Sequence, residues 1–220
     1  MVVLVACEES QAVTIELRKL GHEAYSCDIK PCTGGHPEWH IRGDAIKEAY
    51  SGKYDLMIAH PPCTYLCVSG IRWLTNKDGS KNTEREKNKE DALEFVRILM
   101  KAPIERIAIE NPISIISSEI RKPDAIIQPY EHGDPCIKTT CLWLKGLDPL
   151  MPTDIVEPEY VLSGTGRKWS KWFWETSLLP VEERSEARSK TFPGIAREMA
   201  RQFTRPQRQL SMFKEEFNDR

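Results

Sequence analysis

The stretch VVLVACEESQAVTIELRKLGHEAYSCD, residues 2–28, decides the fold class. Val2 to Cys7 is a β-branched run without a polar interruption, the pattern of a strand buried on both faces. Residues 10–21 follow with Ser10 as a candidate cap, apolar Val13, Leu17 and Leu20 at helical spacing, and Gly21 as a stop. Residues 22–28 read as a second strand. Strand, helix and strand in so short a span imply a parallel pair joined by a right-handed crossover, hence an α/β chain.

The pattern continues downstream. Residues 29–43 read as loop from their Pro and Gly content, 44–50 as a short helix and 54–60 as a strand. Residues 66–83 are polar and irregular around Trp73. A long helix is expected over 82–102 and a strand over 104–112. Residues 126–146 read as two strands around a turn at His132-Gly133-Asp134-Pro135, an antiparallel hairpin at the sheet edge. Residues 147–180 are rich in Pro, Gly and Trp; 193–203 read as a helix with Pro193 in its first turn.

The 220 residues suit one domain with a full core, and 31 basic against 33 acidic side chains leave no strongly basic global field. No stretch approaches the roughly 20 apolar residues of a membrane span. The apolar start has no basic lead-in or cleavage pattern, so it reads as strand and not as signal peptide. Seven cysteines without a framework rhythm read as free thiols in a reducing cytoplasm.

In an open α/β sheet, ligands sit outside the carboxyl ends of the strands. Those ends carry Cys7-Glu8-Glu9, Asp28, Pro61-Pro62-Cys63 and Glu110-Asn111-Pro112. Two prolines, each holding φ near −65°, preset the direction of the Cys63 thiol. A thiol and a carboxyl group side by side suit covalent catalysis with proton management.

This order of motifs resembles the DNA cytosine-5 methyltransferases, in the short form seen in phage and prophage proteins. The resemblance rests on Val5-Ala6-Cys7, Asp28, Pro61-Pro62-Cys63, Glu110-Asn111-Pro112, Tyr130…Gly133…Pro135…Lys138 and Thr191 to Ala196. It implies a Rossmann-like S-adenosylmethionine-dependent fold, with a mostly parallel sheet and an antiparallel edge hairpin. It also implies Cys63 as nucleophile at carbon 6 of a flipped cytosine, and Glu110 as the group holding the ring. Lys138 stands near the position of a base-holding arginine. For the cofactor the resemblance points to Ala6, Cys7, Glu8, Glu9, Ser10, Asp28, Ile29, Asp44, Ala45, His60 and Pro61. Asp28 would take the ribose hydroxyls and Asp44 the adenine edge. The catalytic part would be 1–146 with 185–203, with 147–184 a small target-recognition insertion and 204–220 a tail.

The chain departs from the family in several places, among them Thr64 where a glutamine usually follows Pro-Pro-Cys and a very small recognition region. The first turn has no glycine, His60 stands where a glycine precedes Pro-Pro-Cys, and Lys138 and Thr140 stand where two arginines are usual. Cys27, Cys32, His36 and His40 have zinc-ligand chemistry at a non-standard spacing, and read better as a metal-free loop over the adenosine pocket. Arg167, Lys168, Trp169 and Lys171 interleave charge with aromatic surface, which suits DNA contact on one face of a half-buried strand. Gln209 to Phe213, QLSMF, resembles the peptide by which bacterial replication proteins bind the sliding clamp. The sequence leaves two rivals to DNA methylation: the same chemistry on a free pyrimidine nucleotide or RNA, and a non-catalytic binder that keeps the fold.

Overall fold

The structure, a computed structural model, describes residues 1–205. The opening stretch folds as β1 (Val2–Ala6), α1 (Ala12–Lys19) and β2 (Glu23–Asp28). The expected loop at 29–43 contains a three-residue strand, β3 (His40–Arg42), which pairs parallel with β2. So short an edge strand, with none of its residues buried, leaves no hydrophobic pattern to read.

Then come α2 (Ala45–Ala49), β4 (Leu56–Ala59), α3 (Thr83–Met100) and β5 (Arg106–Pro112). A single-turn α4 (Ile116–Glu119) leads to β6 (Ala125–Ile127) and β7 (Thr140–Lys145). Asp44 caps α2 through Ile46 N–H, and Asn82 caps α3 through Arg85 N–H, so both helices start where a short polar side chain replaces the missing acceptor.

The seven strands run in the order β3-β2-β1-β4-β5-β7-β6. All neighbours are parallel except β7, which is antiparallel to both β5 and β6. The expected hairpin is therefore present, with its second strand inserted between the edge and β5. The sheet is thus Rossmann-like, mostly parallel with an antiparallel edge pair. Because β2 and β4 flank β1 on opposite sides, the strand order reverses there, and a crevice opens between the carboxyl ends of β1 and β4.

Alternating residues of β1 and β4 feed two cores. Leu4, Ala6, Met57 and Ala59 face a layer built from Leu93, Val96 and Leu99 of α3. Val3, Val5, Leu56 and Ile58 face Val13 and Leu17 of α1 and Ile195, Met199 and Phe203 of a final helix, α7 (Pro193–Phe203, numbered after two further helices given next). Helices cover both faces, so the central strands read as unbroken apolar runs.

Residues 147–192 leave the sheet. They form a hairpin of β8 (Tyr160–Leu162) and β9 (Lys168–Ser170), then α5 (Lys171–Ser177) and α6 (Val181–Ser189). The basic-aromatic run expected as one strand is thus a strand only to Ser170, and Trp172 and Trp174 lie on a helix. Two-residue alternation of large and small side chains over so short a run does not separate the two. Helix α6 has no buried residue, which is why no apolar period announced it.

Helix α7 docks back on the sheet through the turn before β7. Asp134 Oδ2 accepts the Gly194 N–H at 2.8 Å, and Arg197 donates to the His132 carbonyl at 3.1 Å. A Cβ on Gly194 would overlap that same carbonyl oxygen. Gly194→Ala is therefore expected to cost about 3 kcal/mol, the upper range for overpacking against backbone. A thermal melt of the purified variant measures it.

Candidate active site

The strand register lines up the rim. Ala6 pairs with Cys27 and with Ala59, Ala59 pairs with Ile109, and Asp28 pairs with Arg42. One residue further along each strand, Cys7 lies between Asp28 and His60, and His60 lies beside Glu110. The His60 N–H donates to the Ala6 carbonyl at 2.9 Å, which carries this alignment past the end of β4.

His60 Nδ1 is 2.9 Å from Glu110 Oε2, and both side chains are almost wholly buried, at 9% and 14% exposure. Burial pushes the His60 imidazole down, but the hydrogen bond and charge of Glu110 outweigh it and the net shift is upward. For Glu110, burial pushes up, while the hydrogen bond and charge of His60 and the charge of Lys138 bring the carboxyl below its ordinary value. Each side of the buried pair thus favours the charged form of the other, shifting His60 towards imidazolium and Glu110 towards carboxylate. The Glu110 share of its stabilisation is present above the ordinary carboxylate range and fades as pH falls through the lowered value. The His60 share is present below the ordinary imidazole range and fades as pH rises through the raised one.

Cys63 is exposed at the lip of the same crevice. Asn111 Nδ2 donates to the Pro61 carbonyl at 2.8 Å, so the strand that carries Glu110 also holds the double proline. Leu66 and Cys67 N–H both donate to the Cys63 carbonyl, at 3.0 and 2.9 Å, closing one turn after the thiol. Ile115 N–H then donates to the Leu66 carbonyl at 2.9 Å. The thiol-bearing loop is bonded to the end of β5 at both sides of Cys63. Partial desolvation, then the neighbouring Cys67 and Glu110, push the thiol above its ordinary value, against the opposing charge of Lys138.

Lys138 does not bond either group directly. Its ammonium donates to the carbonyls of Arg188 at 2.8 Å and Lys190 at 3.3 Å, and lies over the rings of Trp172 and Phe192. It joins the 147–192 excursion to the rim and places one positive charge within reach of Cys63, Glu110 and His60.

The first turn takes an unusual course. Cys7 and Gln11 have φ of 59° and 58°, the left-handed region that glycine normally supplies. Ordinary side chains thus adopt the conformation of the absent glycines. Three bonds hold the turn: the Glu8 carboxylate accepts from Val13 N–H at 2.7 Å, Thr14 N–H at 3.3 Å and Thr14 Oγ1 at 2.7 Å. Glu8, expected at the cofactor, is buried as the cap of α1, and Ser10 makes only a 3.5 Å contact with Ala12 N–H. The chain's own carboxylate fills the helix N-terminus where a pyrophosphate sits in dinucleotide sites, so that class of cofactor is excluded here.

The carboxylates of Asp28 and Asp44 stand near a half-buried Cys7. Burial, then the charges of Asp28, Cys27 and Asp44, push its thiol far up, which puts both carboxylates near the end of β1. Asp28 Oδ1 accepts from Lys30 N–H at 2.9 Å, and Ile29 beside it is 76% exposed. Ala6 is fully buried beneath this surface, and Ala45, in the first turn of α2, is 6% exposed. Residues 29–39 fold back over the first turn. Thr33 N–H donates to the Glu9 carbonyl at 2.7 Å, Lys30 pairs with Glu9 at 3.1 Å, and the Gln11 amide exchanges bonds with His36 backbone groups at 2.8 and 3.0 Å.

Cys27, Cys32, His36 and His40 are not gathered. His40 uses both ring nitrogens, on Ser26 Oγ at 2.8 Å and the Lys30 carbonyl at 2.9 Å, while His36 stacks on Trp39. Among the described residues, no group of three or more His, Cys, Asp and Glu could hold a metal ion.

Arg167 lies 4.4 Å over the Trp169 ring and Lys168 5.3 Å over Tyr160, all on the β8–β9 hairpin, whereas Lys171 is paired with Glu159 at 2.8 Å. None of these four is tied to the rim. Gln209 to Phe213 lie outside the described residues. Among the described residues no helix is long and apolar enough to cross a membrane. Sequence reasoning placed His60 at the cofactor and missed its bond to Glu110. The signal was available, because a histidine and a glutamate each end an apolar run in adjacent strands, but only the register makes them neighbours.

No protein-family model and no curated protein matches the chain. Among solved structures it is similar to a protein described as a DNA modification methyltransferase encoded within a prophage of E. coli, at 17% identity and a TM-score of 0.47. The match covers 71% of this chain and 52% of that one, so this chain spans about half the length of the protein it resembles.

Proposed function

We propose that this chain transfers a methyl group from S-adenosylmethionine to carbon 5 of cytosine in DNA. The observation that carries the proposal is that the Cys63 loop is bonded to the strand that bears Glu110, close enough for the Glu110 charge to act on the thiol. The cofactor fits the residues present. Cys7 turns the backbone with positive φ, Asp28 and Asp44 offer carboxylates for hydroxyl and amine donors, and exposed Ile29 offers an apolar face for a purine. The Glu8 cap at α1 suits a cofactor without phosphate. When bound, S-adenosylmethionine supplies an electrophilic methyl group on a sulfonium.

The chain's own residues do the rest. The Cys63 thiolate adds to carbon 6 of the pyrimidine, which makes carbon 5 nucleophilic. Glu110 holds ring nitrogen 3 and the exocyclic amine while charge develops in the ring. After transfer, the carbon-5 proton passes to solvent, the bond between Cys63 and carbon 6 breaks, and the ring is restored. Lys138 adds a positive charge that favours the thiolate, against the larger opposing effects of burial, Cys67 and Glu110. In a duplex the base is flipped out to reach Cys63. Residues 1–146 with 185–203 form the catalytic part. Residues 147–184 supply target contacts through Arg167, Lys168 and Trp169; Lys171, neutralised by Glu159, contributes less. Gln209 to Phe213 would serve as a clamp-binding peptide.

The test uses the full chain, labelled cofactor and, in parallel, duplex DNA, RNA and deoxycytidylate. Label in the duplex, recovered as 5-methylcytosine by mass spectrometry of nucleosides, is expected. Label in RNA or the free nucleotide alone would replace DNA as the substrate, and failure to bind cofactor in calorimetry would leave only a binding protein.

A further inference from the structure

His60 stands where the resembling family carries glycine, and a spacer would not need a titratable ring. Among the described residues its side chain bonds only through Nδ1, to Glu110 Oε2 at 2.9 Å, and Nε2 is buried without a partner there. The bond uses one oxygen of Glu110 and leaves the other for a base. A carboxylate only accepts hydrogen bonds, yet nitrogen 3 of cytosine, itself an acceptor, needs a donor as the thiolate adds. Glu110 alone would face the base empty of a proton at neutral pH.

We propose that His60 is a positioning residue that stores the proton Glu110 delivers to the pyrimidine ring. The inference rests on the cytosine methyltransferase reading and deepens it. The balance is simple. As the bond between Cys63 and carbon 6 forms, its electron pair displaces ring electrons towards nitrogen 3, which takes a proton from Glu110. Glu110 takes the Nδ1 proton of His60, and His60 becomes neutral. When the bond to Cys63 breaks, nitrogen 3 returns the proton to Glu110 and thence to His60, so no external acid or base is consumed.

The groups facing His60 fit this role. Glu110 comes from β5, Glu8 from the turn after β1, and Lys138 from the loop before β7; the two carboxylates favour the protonated ring and the ammonium opposes it. The bond and charge of Glu110 hold the imidazole of the free protein above its ordinary value, which favours a filled store.

Two variants test the proposal in the full chain with duplex DNA and labelled cofactor under single turnover. His60→Gln keeps bulk and a donor but cannot titrate; His60→Gly restores the family's residue and leaves room for imidazole. Rates are compared at saturating cofactor, with its affinity for each variant read by calorimetry, so that a change in cofactor binding is separated from a change in the chemical step. Both variants are expected to lose about 100-fold in rate at pH 8, in the range of general acid–base groups. The loss should shrink as pH falls, because Glu110 then carries its own proton, so the alkaline limb moves to lower pH. Added imidazole should restore His60→Gly. A uniform loss at all pH values without imidazole rescue, or no loss, would overturn the proposal and leave His60 a structural residue. If instead Cys63→Ala still methylates, it is the underlying reaction that fails; if Cys63 is required and only the His60 variants behave as wild type, the reaction stands and the proton store does not.

Discussion

Cys63→Ala is expected to abolish methyl transfer, by on the order of 10⁴-fold or more in kcat, as for nucleophiles that act as one unit with their partners. The same substitution should change stability by less than about 0.5 kcal/mol, because Cys63 is exposed and its loop is held by backbone bonds. Cofactor affinity should be unchanged, since no part of the cofactor surface depends on this thiol. Single-turnover transfer, calorimetry and a thermal melt read the three quantities. In the wild-type protein, desolvation, Cys67 and Glu110 hold the thiol above its ordinary value. Thiolate therefore accumulates only towards alkaline pH, and the acid limb of kcat/KM should follow it. Iodoacetamide alkylation of Cys63 should rise with the same limb. Full transfer by Cys63→Ala would remove the reaction proposed for this chain.

Glu110→Gln is expected to lower kcat by about 10³-fold, from the combined loss of acid–base and electrostatic assistance. It also has a stability signature. The glutamine amide can meet His60 but cannot balance its charge, so His60 falls from its raised value towards or below the ordinary imidazole range. Breaking a buried charged pair from one side costs about 3 kcal/mol. The wild-type advantage due to His60 is complete below the ordinary imidazole range and disappears as pH rises through the raised value, so the two proteins should converge in stability on the alkaline side. Chemical denaturation across that window, with the His60 ring followed by nuclear magnetic resonance, measures both. A variant with wild-type kcat would show that the ring is held by another group.

The chemistry-bearing ends of the strands were legible because they are local. Each follows an apolar run, and a run buried on both faces must end where the chain reaches water, so Cys7, Asp28, Cys63 and Glu110 announce one rim. The edge pair and the final helix were legible for related reasons, the first from turn residues around Gly133 and the second from apolar spacing after Pro193. Segments that bury little, β3 and α6, left no periodic signal, and α5 was taken for strand.

By itself the sequence determined the class of fold and which residues stand at the carboxyl end of the sheet, since burial and turn chemistry act over a few neighbours. Only the tertiary structure decided which of them touch. Register across separate strands put His60 on Glu110, while the course of the turn after β1 made Glu8 the cap of α1 and gave Cys7 and Gln11 the backbone conformation of glycine. The first contact joins residues 50 apart, and no local pattern encodes a distance that only sheet pairing creates.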